Sequence, residues 1–499
     1  MDMTDQQIDA FRRWEYETSA LAMALSIISF DQETVAPTAG AGYRDRRTSW
    51  LAGEFFAKQT DPANLANLRQ LSRRTDLDEA DARSVQLHLR DIDRILAIPK
   101  DDFVAYNQLQ NECFASWRKA RQADDYRLFE PSLTKIIAAA ARMVGYRQSD
   151  CCAYDRMLDD YETGMDIKRY DAFFTQVRER LVPLIQKVGR AVPIDDSFLH
   201  QVFPVAQQKE YMKNILRYLG FDASWGYQGE SEHPFTTWMC IDDVRTTTRY
   251  LPDDPVSAIL STVHEVGHGF YAHDCDRRYD GTIIHDDITS GLHESQSRLA
   301  ENYLGRSPAF WQANYPALQQ AFPQQLGEVS LQRFVRAINV SRPSLIRTEA
   351  DELTYPLHIM IRYEIEKGLF DGSISTSGLD RTWDDMYMRY LGVKAPSARS
   401  GILQDIHWSQ GSFGYFPTYA LGSAYAAQFY HRMRQDIDVD ACLSQGRYAD
   451  IVAWLTQHIH RFGALYDPDE LIVKATGEPF NPGYYFDYLQ DKFSRLYGL

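Results

Sequence analysis

A chain of 499 residues with 69 acidic and 53 basic side chains, a formal charge of −16, is a poor partner for nucleic acid, whose phosphates select basic surfaces. Its 44% hydrophobic and 24% charged residues are those of a globular protein long enough to bury its own core. The six cysteines, Cys113, Cys151, Cys152, Cys240, Cys275 and Cys442, form no Cys-x-x-Cys pair, which argues against a disulfide framework or structural zinc site and for a reducing compartment.

The N-terminus is polar and mixed in charge, without the basic start and apolar run of a secretion signal. The apolar stretch Ala20–Phe30 is broken by Ser26 and Ser29 and falls short of the roughly 20 residues a membrane span needs. A cytoplasmic protein with no membrane partner is expected. Apolar residues spaced by three and four predict helix over 2–30, 62–96, 101–144, 166–191, 206–219 and 446–463. Strand-like alternation is confined to Thr236–Cys240 and Val244–Tyr250, which predict a small β hairpin around Ile241-Asp242-Asp243. With no repeat, linker or shift of composition, the expectation is an all-α class protein, predominantly helical, forming one unit over 1–499.

Just after the hairpin comes His264-Glu265-Val266-Gly267-His268. Residues four apart on a helix share a face and differ by about 6 Å in height, so the two imidazoles can converge on one ion. Glu265, one step round, then stands near the ion's open position, where it can take a proton from an attacking water. Asp254 as N-cap and Pro255 as first residue predict the helix start. Val256, Ile259, Leu260, Val263, Gly267 and Phe270 make its apolar stripe. A third ligand is needed. The His-Glu-x-x-His-x-x-Gly-x-x-His layout fails, because Tyr271 and Asp274 occupy the required positions. Glu294 is favoured instead, in a helix predicted to be capped by Ser290 and ended by Gly305, where the dipole of the first turn keeps a carboxylate ionised. Asp274, His285, Asp286 and Asp287 are rivals on spacing alone.

Further motifs carry a resemblance. His233-Pro234-Phe235, Asp243-Val244-Arg245-Thr246-Thr247, His293-Glu294-Ser295-Gln296, Ile346 to Asp351, Gly401 to Trp408 and Gly411 to Gly422 stand in one order along the chain and, with Tyr154–Met165, cover most of it. In these the sequence resembles peptidase family M32, the zinc metallocarboxypeptidases of the thermostable carboxypeptidase Taq type. The resemblance implies zinc, with cobalt as a substitute, held by His264, His268 and Glu294, and Glu265 as general base. It also implies a helical zincin-like fold whose lobes flank a deep groove, a homodimer, and removal of single residues from peptide C-termini with broad specificity. The sequence departs from the family where Phe30 and Ala300 stand in place of tryptophans.

Beyond the ligands, Tyr415, Tyr419 and His407 are candidates to stabilise the oxyanion, with Tyr419 preferred. Arg347 and Arg245 are candidates for the terminal carboxylate, which suits a guanidinium fork. His233 and His293 are candidates to hold the substrate backbone, although His293 could buttress Glu294 and His233 close a turn. The competing functions are an endo-oligopeptidase or dipeptidyl carboxypeptidase on a related scaffold, and a helical binding protein with a dead site. The intact Glu265 speaks against the last.

Overall fold

The computed structural model describes residues 3–147 and 150–499. It is predominantly helical, with one sheet of three short strands. The first helix runs Met3–Thr34; residue 2, where it was expected to begin, lies outside the described residues. Two long predicted helices are each broken in two. The 62–96 segment divides into Pro62–Leu71 and Glu79–Leu96, and the 101–144 segment into Lys100–Ala123 and Glu130–Gly145. The second break falls at Asp124, whose φ of 56° is left-handed and cannot continue a helix. No helix among the described residues is long and apolar enough to cross a membrane.

The sheet is the hairpin with an added strand. Strands β2 (Thr236–Cys240) and β3 (Asp243–Thr248) pair antiparallel, with Thr236 opposite Thr246 and Trp238 opposite Val244. Strand β1 (Gly226–Glu230) pairs parallel to β3, so that β3 is central and β1 and β2 are edges. Periodicity did not reveal β1: its sequence, Gly-Tyr-Gln-Gly-Glu, has no alternation of apolar residues and two glycines.

The motif helix spans Pro255–His273, and the Asp254 carboxylate accepts the Ser257 N–H at 3.0 Å, as the capping pattern predicts. Its apolar stripe is buried, and Thr248 of β3 donates to the Ala258 carbonyl at 3.1 Å. The second site helix spans Ser290–Arg298 and continues as a π-helical segment over Leu299–Gly305. Ser290 is not its cap. Thr289 holds that position without a side-chain bond, and the buried Glu162 carboxylate accepts the Gly291 N–H at 2.6 Å instead. A partner from elsewhere in the fold has replaced the local cap.

Two glycines let this helix sit between its neighbours. A Cβ on Gly267 would lie 2.8 Å from the Gln296 carbonyl oxygen and 2.9 Å from Ser297 Cα. On the other side, a Cβ on Gly422, in the helix Phe416–Asp436, would lie 2.8 Å from both Cβ and Cγ of Glu294. Gly267→Ala is therefore expected to force the two backbones apart, costing about 1–3 kcal/mol and loosening any ion shared between the helices. Thermal melts with chelator competition check this.

Candidate metal centre

Helix contact brings His264, His268 and Glu294 together: their donor atoms all lie within 4.8 Å of one another, the one such group of three among the described residues. Glu294 Oε2 stands 3.8 Å from His264 Nε2 and 3.5 Å from His268 Nε2. Each imidazole turns its other nitrogen outward. His264 Nδ1 meets Glu301 Oε2 at 2.9 Å, and His268 Nδ1 meets His293 Nδ1 at 2.5 Å. Outer partners of this kind fix ring orientation and leave both Nε2 atoms for a metal. Two imidazoles and a carboxylate, converging from two helices, fit a divalent metal of the zinc type.

Electrostatics keeps the set ready to ligate. Burial alone would raise the Glu294 carboxyl, but Arg298, whose Nε donates to Glu294 Oε1 at 2.6 Å, and the two histidines draw it far below the carboxylate range. Glu301 behaves alike: burial opposes ionisation, yet His264 and Arg298 bring it down to about 2. Burial and the neighbouring His268 push His293 well below the histidine range, so it stays neutral. Its ring stacks on Trp238 of β2 at 5.2 Å. Glu265 is buried, and Thr236 Oγ1 lies 2.6 Å from its Oε2.

The remaining candidates fall into two groups. Arg347 is buried beside the site. Its Nε donates to Asp405 Oδ1 at 2.9 Å, its Nη1 to Tyr355 at 3.2 Å, and its guanidinium lies 5.0 Å from the Tyr419 ring centre. Its Nη2 has no hydrogen-bond partner among the described residues. Tyr419 and His407 approach to 3.5 Å, with Tyr415 packed against both rings. Burial first, then the charge of Arg347, pushes His407 down to about 4, so it is uncharged near neutral pH. Arg245, in contrast, gives Nε and Nη2 to Asp243 at 2.8 and 2.7 Å and lies over Phe30. His233 is exposed in the β1–β2 connection, where its carbonyl accepts from Ser231. The rival ligands are engaged elsewhere: Asp274 with Thr456, His285 with the Ala272 carbonyl, Asp286 with Trp238 and Asp287 with Arg90.

Sequence reading missed the supports. Arg298 and Glu301 lie four and seven residues after Glu294, a helical spacing that could have found them. Thr236 and Asp405 are far away in sequence and reach the site only through the fold.

Comparison with known proteins gives the family. The family described as carboxypeptidase Taq (M32) metallopeptidase matches residues 11–493. The chain belongs to that family. It is 39% identical to carboxypeptidase 1 of Bacillus subtilis (strain 168) over 477 residues, 95% of each chain. It is 34% identical to thermostable carboxypeptidase 1 of Thermus thermophilus over 500 residues, covering 97% of this chain and 98% of that one. Among solved structures, the M32 carboxypeptidase from Deinococcus radiodurans R1 superposes with a TM-score of 0.96 at 33% identity, over 99% of this chain and all of that one.

The cap on the Glu294 helix yields a pH test. Burial raises the Glu162 carboxyl from 4.5 to about 8, against the bond from the Gly291 N–H. The fold thus holds a proton that the unfolded chain has already released between about pH 4.5 and 8, and stability falls as pH rises through that window. Glu162→Gln should remove this contribution, on the order of a few kcal/mol. Its melting temperature should gain on the wild type between pH 5 and 8; parallel pH curves would contradict the assignment.

Proposed function

We propose that this M32 metallopeptidase is a zinc-dependent metallocarboxypeptidase that removes single residues from the free C-termini of peptides. The observation that carries the reading is the convergence of His264, His268 and Glu294, with Glu265 beside them on the same helix as His264 and His268. Zinc held there would act as a Lewis acid, polarising the scissile carbonyl and acidifying the attacking water. Glu265 accepts the proton from that water and returns it to the leaving amine, as a general base and then acid does. Tyr419 donates to the developing oxyanion. Its approach to the uncharged His407 supports this role, and Tyr415 completes the wall. Arg347 binds the terminal carboxylate: it lies 5.0 Å from the ring centre of Tyr419, the assigned oxyanion donor, and its Nη2 has no partner among the described residues, whereas Arg245 pairs with Asp243 and lies over Phe30. Arg245 then shapes the substrate path from β3. His293 serves as the outer support of His268, and the exposed His233 remains available to the peptide backbone.

A cytoplasmic location and a homodimer complete the proposal. All six cysteines are free, in keeping with a reducing compartment. The helix Ala41–Gln59 buries none of its residues and exposes Tyr43, Trp50 and Phe56, which supports a partner subunit.

The test uses an N-blocked peptide with either a free or an amidated C-terminus. The free acid should give single amino acids in succession and the amide none, with all activity lost to a chelator and restored by zinc. Glu265→Gln should lower kcat by more than about 10³-fold with metal retained, and Arg347→Lys should lower kcat/KM by about 10²-fold. Release of dipeptides or internal cleavage would assign an endo-oligopeptidase or dipeptidyl carboxypeptidase instead.

A further inference from the structure

Resting on the assignment of Glu265 as the base, we propose that Thr236 is the positioning residue that aims it, holding one carboxylate oxygen so that the other is free to take the proton. Thr236 opens β2, the sheet edge packed along the motif helix. Its Oγ1 lies 2.6 Å from Glu265 Oε2 and 2.9 Å from the carbonyl oxygen of the same residue. Among the described residues, no other side chain donates to that carboxylate, and Oε1 has no protein partner. The hydroxyl is held on a stiff frame, because Thr236 pairs with the buried Thr246 of the central strand and its β-branched side chain has few rotamers.

One hydroxyl proton faces two acceptors, so it cannot bond fully to both. With the carboxylate ionised, the charged oxygen at 2.6 Å is the stronger acceptor and holds the hydroxyl. When an O–H bond of the attacking water breaks and its proton joins Oε1, the charge on Glu265 disappears and Oε2 weakens as an acceptor. The hydroxyl can then share its proton with the carbonyl without being left unpaired. Thr236 keeps its proton throughout; only the direction of its O–H bond changes. A merely structural hydroxyl would tie β2 to the helix through the carbonyl and would not depend on the Glu265 side chain.

The test compares Thr236→Val, which keeps the shape and removes the donor, with Thr236→Ser, Glu265→Gln and the Thr236→Val/Glu265→Gln double variant. Thr236→Val should lower kcat about 10- to 100-fold, with KM and metal content as in the wild type, and Thr236→Ser should restore most of the loss. Adding Thr236→Val to Glu265→Gln should cost no further activity. In the metal-free proteins, Thr236→Val should lower the melting temperature by stranding a buried carboxylate, and by clearly less in the Glu265→Gln background. Full kcat in Thr236→Val, or equal melting losses in both backgrounds, would overturn the proposal. An active Glu265→Gln would remove the base and Thr236's role together, whereas an inactive Glu265→Gln beside a fully active Thr236→Val would remove only the latter.

Discussion

The site depends on one close packing contact, the approach of the Glu294 helix to the bare backbone at Gly267. Ligands on one helix turn cannot surround an ion; a third must come from another element, within about the length of one side chain. Gly267 removes the Cβ that would hold Gln296 and Ser297 away, and Gly422 does the same behind Glu294 itself. The small residue Ala300 continues the contact, its Cβ 2.8 Å from where a Gly267 Cβ would be. Alanine where the family resemblance leads one to expect tryptophan is thus accommodated at the helix contact.

Holding a carboxylate ionised in so buried a place requires compensating charge, and this reaches well beyond the ligands. Arg298 bonds Glu294 and lies 4.5 Å from the Tyr355 ring centre. Tyr355 accepts from Arg347, and Arg347 shares Asp405 with the fully buried Arg362, whose Nε donates at 2.7 Å. Ion pairs at both ends, Glu294 with Arg298 at the candidate metal centre and Asp405 with Arg347 and Arg362 at the candidate carboxylate anchor, are joined through Tyr355. Removing one member would strand its neighbours as unpaired buried charges, which costs more than the pair itself contributes.

Features set by local chemistry could be read from the sequence. Asp254-Pro255 starts the motif helix as capping rules require, and the alternation in β2 and β3 marked the hairpin. Family membership and the helical class were legible from ordered motifs spread over most of the chain. What escaped was decided by distant partners. The cap of the Glu294 helix comes from Glu162, not Ser290; β1 is a strand because β3 pairs with it; and Asp124 breaks a helix whose apolar spacing runs on without interruption. Spacing alone left four rivals to Glu294. The fold separates them from it by giving each another partner, something no linear pattern encodes.

The central claim is that three side chains from two helices hold one divalent ion. An anomalous difference map from zinc-loaded crystals tests it most directly. The account predicts a single peak within about 2.0–2.2 Å of His264 Nε2, His268 Nε2 and a Glu294 carboxylate oxygen. A zinc peak elsewhere in the chain, or bound to the two histidines with Glu294 turned away, would contradict it.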